Sequence, residues 1–297
     1  MNSDEEVVLV TGASGNVGRE VVKALRNSNF RVRPALRTHG ERGDGSGAFD
    51  EVVHFDFSDS STFPAAFDAV TSLFLMRPPP LSDVDRFIRP VIDYAAAIGV
   101  RRIVFLSLQG AGRNLLIPHT RIENLIESSG LPYTFLRSGF FMQNLDTTHR
   151  EDIVAYDDLF IPAGTGRTAF IDTRDVGEIA ARMLTEPGHE GQAYTLTGCE
   201  ALTYDEVADV MAEILGRPIT YSNPSLLTFA RRMRGRGHAW GYIGVMIGIY
   251  LTTRRGLSEE VSSTAAELLG RPPRTVRQYV ADYAAAWQKP DTTGSSA

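Results

Sequence analysis

Three glycines spaced three apart, Gly12, Gly15 and Gly18, sit in the stretch VTGASGNVGREVVKAL between an apolar run and a helical pattern. A strand that ends in a glycine-rich turn and opens a helix presents backbone N–H groups and the positive end of the helix dipole to an anion. The chemistry on offer is phosphate binding. In such a turn Gly12 permits the tight bend, Gly15 admits phosphates close to the backbone, and Gly18 lets helix and strand pack closely. The pattern GxxGxxG is one residue longer than the GxGxxG fingerprint, and taken alone it also fits a purely structural turn. Its setting, with a strand before and an amphipathic helix after, favours a pyrophosphate cradle made of Gly12, Ala13, Ser14, Gly15, Asn16, Val17 and Gly18.

The residue about 20 positions on decides which dinucleotide is held. An Asp or Glu there accepts from a ribose 2′-hydroxyl, but this sequence has Arg37, with Arg33 nearby. A guanidinium suits a 2′-phosphate and leaves a bare diol without its acceptor. NADPH is therefore expected over NADH; the plainer alternative is that Arg37 is a solvated strand end. Asp56 and Phe57, closing a third strand, are expected at an adenine edge. Leu75, Met76 and Arg77, closing a fourth, are expected beside the nicotinamide ribose, at the carboxyl edge of the sheet where ligands bind.

Catalytic groups are harder to find. Many reductases with this loop rely on a Tyr-x-x-x-Lys pair, but the only lysines are Lys23 and Lys289, and neither follows a tyrosine by four. Tyr133 and Arg137 have the spacing, yet PYTFLR reads as a strand, and arginine cannot be deprotonated to relay a proton. His119, at a loop-to-helix boundary, is a candidate proton donor, although a lone histidine there serves a structural role as readily. Ser107, ending the fifth strand, is a candidate for a hydrogen bond to ribose or substrate. No metal is expected, because His39, His54, His119, His149, His189 and His238 are scattered without ligand spacing and the only cysteine is Cys199.

The elements that must position these residues alternate through the first half. Strands are expected at 7–10, 31–37, 51–57, 72–76 and 102–107, and YTFLRSG would be a sixth. Helices are expected in NVGREVVKALRNS, STFPAAFDAV, SDVDRFIRPVIDYAAAIG and HTRIENLIESSG, the first with Val17, Val21 and Leu25 as a buried stripe. This order predicts an α/β fold, a Rossmann-type doubly wound parallel sheet with a smaller C-terminal α/β lobe. The expected domains are a nucleotide-binding 1–150, a substrate or lid lobe 151–290 that also returns elements to the sheet, and a flexible tail 291–297. In the lobe, AFIDT and AYTLTG read as short strands, and VGEIAARMLTE, TYDEVADVMAEILG and LSEEVSSTAAELLG as helices. Pro34 is out of place in an interior strand, and a bulge would accommodate it. THGERGDGSGA, at 38–48, reads as a flexible loop.

Apolar residues make up 43% of the chain and charged residues 22%, an ordinary globular balance. The net charge of −6 gives no basic surface for nucleic acid. The acidic start MNSDEE reads as neither a signal nor a transit peptide, so a cytoplasmic protein is expected. The apolar segment Trp240–Leu251 is far shorter than the ~20 residues of a membrane span. It reads as a core helix, a lid or a subunit contact, the last making a homodimer a candidate assembly.

TGASGNVGREVVKAL, SGLPYTFLRSGFFMQNL (129–145) and FIDTRDVGEIAARMLTEPGHEGQAYTLTG (170–198) resemble the NmrA-like atypical short-chain dehydrogenase/reductases, as does ELLGRPPRTVRQYVADYAAAW near the end. That family includes NADPH-dependent quinone oxidoreductases and triphenylmethane-dye reductases. The resemblance implies that Gly12 to Val17 bind pyrophosphate, Arg37 the 2′-phosphate, Leu75 to Arg77 the ribose and Gly139 to Gln143 the nicotinamide side. Phe140, Phe141 and Asn144 would wall the substrate cleft, although the two phenylalanines fit a core equally well by residue type. The sequence departs from the family at Ser138, usually proline, and at Arg121, lysine in many members. Two functions fit: a reductase of a planar small-molecule substrate such as a quinone, or a nucleotide sensor acting through a protein partner. A sugar-nucleotide epimerase fits less well, since it normally needs the missing Tyr-Lys pair.

Overall fold

The computed structural model describes residues 6–26, 28–37, 52–79, 81–112 and 117–289. In chain order the elements begin β1 (Val7–Val10), α1 (Asn16–Leu25), β2 (Arg31–Leu36), β3 (Val53–His54), α2 (Phe63–Ala66) and β4 (Val70–Leu75). Next come α3 (Val84–Phe87), α4 (Arg89–Ala97), β5 (Arg102–Leu108), α5 (Pro118–Ser128), β6 (Tyr133–Ser138) and α6 (Arg150–Tyr156). They end with α7 (Thr173–Thr185), β7 (Gln192–Leu196), α8 (Tyr204–Leu215), α9 (Leu226–Gly235), α10 (Trp240–Arg254), α11 (Thr264–Leu269) and α12 (Val276–Asp282). The chain divides into two compact units. The first holds Met1–Ser138, Thr173–Leu196 and Glu267–Gly270, and the second holds Gly139–Asp172, Thr197–Ala266 and Arg271–Ala297.

In the first unit seven strands form one sheet in the order β3-β2-β1-β4-β5-β6-β7. Every neighbouring pair is parallel. Parallel strands are covered on both faces, which is why VVLV and IVFL are apolar without alternation. Val7, Leu9, Leu73, Leu75, Phe105 and Phe135 turn to a core completed by Ile92 of α4 and by Ile122 and Ile126 of α5. The intervening Val8, Val10, Phe74 and Val104 are also fully buried and point to the other face, where α1 and α7 pack together. There Val17, Val21 and Leu25 are buried as expected, and a Cβ on Gly177 would come within 2.7 Å of the Glu20 backbone. This is the doubly wound Rossmann-type sheet that the alternation predicts.

Several elements differ from expectation. The third strand is cut to Val53–His54. STFPAAFDAV is a 3₁₀ turn at Ser60–Thr62 followed by the single turn of α2. The segment after β4 is two helices because Pro90 lies in the first turn of α4, where its missing N–H is harmless, whereas in a continuous helix it would break the ladder. Pro34 needs no bulge, since the β1–β2 register runs unbroken from Val7↔Arg31 to Val10↔Pro34. Arg31 donates its N–H to the Glu6 carbonyl, so alternation turns Pro34 away from β1. On that side β3 begins to pair only at Ala35, and no ladder donor is lost. The 38–48 loop and the 291–297 tail lie outside the described residues.

The second unit is helical, with a core of Met142, Phe160, Phe170, Tyr204, Phe229, Tyr250, Tyr279 and Trp287. AFIDT is not a strand; it contributes isolated bridges, Phe141 with Ile171 and Thr168 with Leu202. AYTLTG does form β7, parallel to β6 in the first unit's sheet. Capping boxes start α8 (Thr203 with Glu206) and α12 (Thr275 with Gln278). Of LSEEVSSTAAELLG only Thr264–Leu269 is helical. Among the described residues no helix is long and apolar enough to cross a membrane.

Candidate active site

The glycine loop is built from the ends of β1 and β4. Thr11 donates both its N–H and its hydroxyl to the Phe74 carbonyl at 3.0 Å. The same hydroxyl oxygen accepts the Met76 N–H at 2.8 Å, so one side chain ties the two strand ends together. Gly12 has φ +64°, and a Cβ on Gly18 would lie 2.2 Å from the Gly12 carbonyl oxygen. α1 then starts from Gly15 with no side-chain cap and no acidic residue in its first turn. Its first N–H groups lack intrahelical acceptors, which is the donor set a pyrophosphate needs. The Met76 methyl lies over Gly12 and Gly15.

Arg37 follows β2 and is exposed. Its charge contributes to holding the Asp56 carboxyl below the usual range, after the bonds that carboxylate accepts from the Ser58 hydroxyl and N–H, at 2.6 and 2.8 Å. Arg33 does not join it. Only 4% exposed, Arg33 donates to the carbonyls of Ala66 and Asp68, so its charge is held within the fold. Phe57 packs edge-on against Phe55 at 4.9 Å, its ring in the core.

Beyond β4, Leu75 is fully buried and Arg77 clamps its own turn, donating from Nη1 to the carbonyls of Pro78, Pro79 and Leu81 at 3.3, 3.1 and 3.0 Å. His119, in the first turn of α5, stacks on Phe105 at 5.9 Å. Burial, helped by the Arg77 charge, pushes its pKa down to about 4. The ring is thus neutral at pH 7, a weak proton donor. Arg77 Nε and His119 Nδ1 are both buried without a hydrogen-bond partner.

Sequence reasoning missed the buried carboxylate beneath this edge. Glu123 of α5 accepts the Ser107 hydroxyl at 2.5 Å and the Arg137 guanidinium through two bonds of 3.0 and 2.7 Å. Ser107 is therefore committed to Glu123 by its only proton. Gly112, at φ +78°, makes room, for a Cβ there would meet Arg137 Nη2 at 2.4 Å. The Glu123 and Arg137 positions on helix and strand, 14 residues apart, carry no local pattern that pairs them. Tyr133 donates to Glu127. Lys23 pairs with Glu20 and Lys289 with Asp157.

In the second unit the loop Gly139–Asn144 is pinned by Ile171, which donates its N–H to the Phe140 carbonyl and accepts from Met142 N–H, each at 2.9 Å. The half-buried Phe140 ring packs edge-on against Phe170 at 5.6 Å, on the edge of the second unit's core. Gln143 is buried and donates to Asp172 at 2.9 Å. Phe141 and Asn144 are half-buried, leaving an aromatic face and an amide partly open.

The sequence profile of the NmrA-like family matches residues 4–279. The chain belongs to the NmrA-like family. Among family relatives, the NAD(P)H azoreductase of Xenophilus azovorans is 29% identical over 285 residues, covering 95% of this chain and 99% of the relative. The (4-alkanoyl-5-oxo-2,5-dihydrofuran-3-yl)methyl phosphate reductase of Streptomyces griseus is 31% identical over 291 residues, with 95% and 99% covered. The crystal structure of the NADPH-dependent quinone oxidoreductase of Escherichia coli complexed with NADPH matches with a TM-score of 0.82 at 26% identity, covering 94% and 99%. Where NmrA-like sequences usually place proline, Ser138 ends β6 and its carbonyl accepts the Gln109 N–H at 2.9 Å, a bond proline would equally make. Arg121, lysine in many members, pairs with Asp85.

Proposed function

We propose that this NmrA-like protein is an NADPH-dependent reductase that delivers hydride to a planar conjugated acceptor such as a quinone. It is an NAD(P)H-dependent oxidoreductase by kinship with the azoreductase and the quinone oxidoreductase. The observation that carries the reading is the glycine loop, where α1 starts at Gly15 with no side-chain cap and no acidic residue in its first turn, leaving backbone N–H groups to donate to a pyrophosphate. Bound there, NADPH supplies a hydride from nicotinamide C4.

Each residue then has a definite task. Gly12, Ala13, Ser14, Gly15, Asn16, Val17 and Gly18 hold pyrophosphate, and Arg37 holds the 2′-phosphate. Asp56 and the Phe57 N–H meet the adenine edge, and Leu75, Met76 and Arg77 line the nicotinamide ribose. Ser107, its proton given to Glu123, serves only as an acceptor. Gly139 and Phe140 shape the nicotinamide side through their backbone. Phe141 offers a flat face to the acceptor and Asn144 an amide to its oxygen.

The acceptor class follows from what the chain lacks. A quinone is already electrophilic and its reduced anion is delocalised, so orientation and water exclusion do most of the work and a strong built-in acid is unnecessary. That demand suits a chain with both lysines ion-paired and His119 held neutral. The relatives' names agree, for azo compounds, quinones and an alkanoyl-oxo-dihydrofuran are all conjugated acceptors.

The test is NADPH consumption, followed by absorbance, across quinones, dyes and aldehydes. Arg37→Ala is expected to raise KM for NADPH by about 10- to 100-fold, with little change in kcat, and to erode the preference over NADH. Tight NADPH binding with no turnover on any acceptor would replace this reading with a nucleotide sensor that acts through a protein partner.

A further inference from the structure

We propose that the outer face of α10 is the surface through which two copies of this chain pair about a two-fold axis. α10 is apolar around its whole circumference. Ile243, Met246 and Tyr250 are buried in the second unit, while Trp240 and Val245, on other sides of the helix, are 63% and 62% exposed. Tyr242 and Ile249 are exposed too, as are Leu227 of α9, which packs beside α10, and Leu257 just past its end. A helix that is apolar all round is built to be covered all round. Exposed apolar surface of this extent marks an interaction site.

The glycines of this helix point the same way. Gly241, Gly244 and Gly248 lie on its exposed side, and a Cβ on any of them would meet nothing within 4 Å. None has a positive φ. Neither packing nor backbone conformation within this chain therefore requires glycine there, although glycine is a poor helix former. Gly244 and Gly248, one turn apart, make the small-x-x-x-small step that lets two helix backbones approach closely.

Charge selects the occupant and its direction. Exposed Arg231, Arg234 and His238 precede α10, and exposed Arg254, Arg255, Glu259 and Glu260 close or follow it, so the acidic side chains are all at its C-terminal end. The N-terminus of α10, at Ala239, has no side-chain cap and no acidic residue in its first turn. In an antiparallel pair every contact is made twice. The two glutamates of one copy then reach the arginines and the open helix N-terminus of the other. A second copy thus supplies an apolar face for the helix and sets its glutamates against the arginines at the opposite end.

Sedimentation velocity on the full chain, from about 1 to 100 μM, tests this. A dimer is expected, with Val245→Glu and Gly248→Leu each weakening association by about 100-fold. Gly248→Leu guards against misfolding as the cause, because a side chain on an open helical glycine should raise the melting temperature of the monomer. A wild-type chain that stays monomeric throughout overturns the proposal, and so does a dimer indifferent to both substitutions. Monomers that float with phosphatidylserine vesicles, and lose this with Val245→Glu, would assign the face to a lipid surface instead. A monomer whose α10 amides gain exchange protection only with NADPH and a quinone would assign it to a lid.

Discussion

Gly18 and Gly15 occupy the same loop under different constraints. A Cβ at Gly18 would sit 2.2 Å from the Gly12 carbonyl oxygen, a backbone atom that cannot move without unseating the loop, whereas at Gly15 the same atom is 3.2 Å away. Gly18→Val is therefore expected to cost about 2 kcal/mol or more and to abolish NADPH binding, while Gly15→Ala weakens binding with a smaller loss of stability. Thermal melts paired with fluorescence titration of NADPH check the order. Glu123→Gln addresses the other edge of the sheet. It leaves the Arg137 guanidinium, 24% exposed, against a neutral amide that keeps only one of the two acceptor oxygens, so a loss of about 3 kcal/mol in urea unfolding is expected. Arg137→Met in the same chain should recover part of it, because the stranded charge is gone. The role of Gly18 could be read from spacing alone. The Glu123 network could not, since nothing in the separate segments says that helix and strand bring them face to face.

The helices of the second unit hold a pH-sensitive element. His149 is fully buried, its Nε2 2.7 Å from the Tyr250 hydroxyl, and burial pushes its pKa down to about 4. Of the charges facing it, Asp152 pulls the other way and Arg236 adds to the depression. Asp152 is itself held by Arg232 and Arg236 at 2.8 Å. The unfolded chain, with an ordinary histidine pKa of about 6.5, binds more protons than the folded one between pH 6.5 and 4. Stability is expected to be fully present above pH 6.5 and to fall as the pH drops towards 4, by about 3 kcal/mol from His149. His119, with its pKa also near 4, acts in the same sense. Melting temperatures from pH 8 to 4 would show the slope, and His149→Gln should flatten it. A lone histidine at 149 gave no hint of this, because burial is decided by what α10 lays over it.

For the molecule as a whole, a ligand that binds only the folded chain raises its melting temperature with the logarithm of its concentration over Kd. NADPH at about 100 times its Kd should stabilise by about 2.7 kcal/mol, and NADH at the same concentration by clearly less. Equal shifts would remove Arg37 from the 2′-phosphate. The alternation of apolar runs and helical patterns was enough to specify the parallel sheet, because burial on both faces and the helical period are local properties of the chain. The glycine turn between strand and helix was legible for the same reason: strand end, loop and helix start are close neighbours in sequence. Tertiary structure alone decided that Arg33 is buried against the Ala66 and Asp68 carbonyls while Arg37 is exposed. It decided that Pro34 sits unopposed where β3 has yet to pair, that AFIDT bridges instead of forming a strand, and that the Phe140 ring packs against Phe170. Those outcomes depend on which distant segment fills the neighbouring space, and a partner more than 30 residues away leaves no periodic trace in the segment it meets.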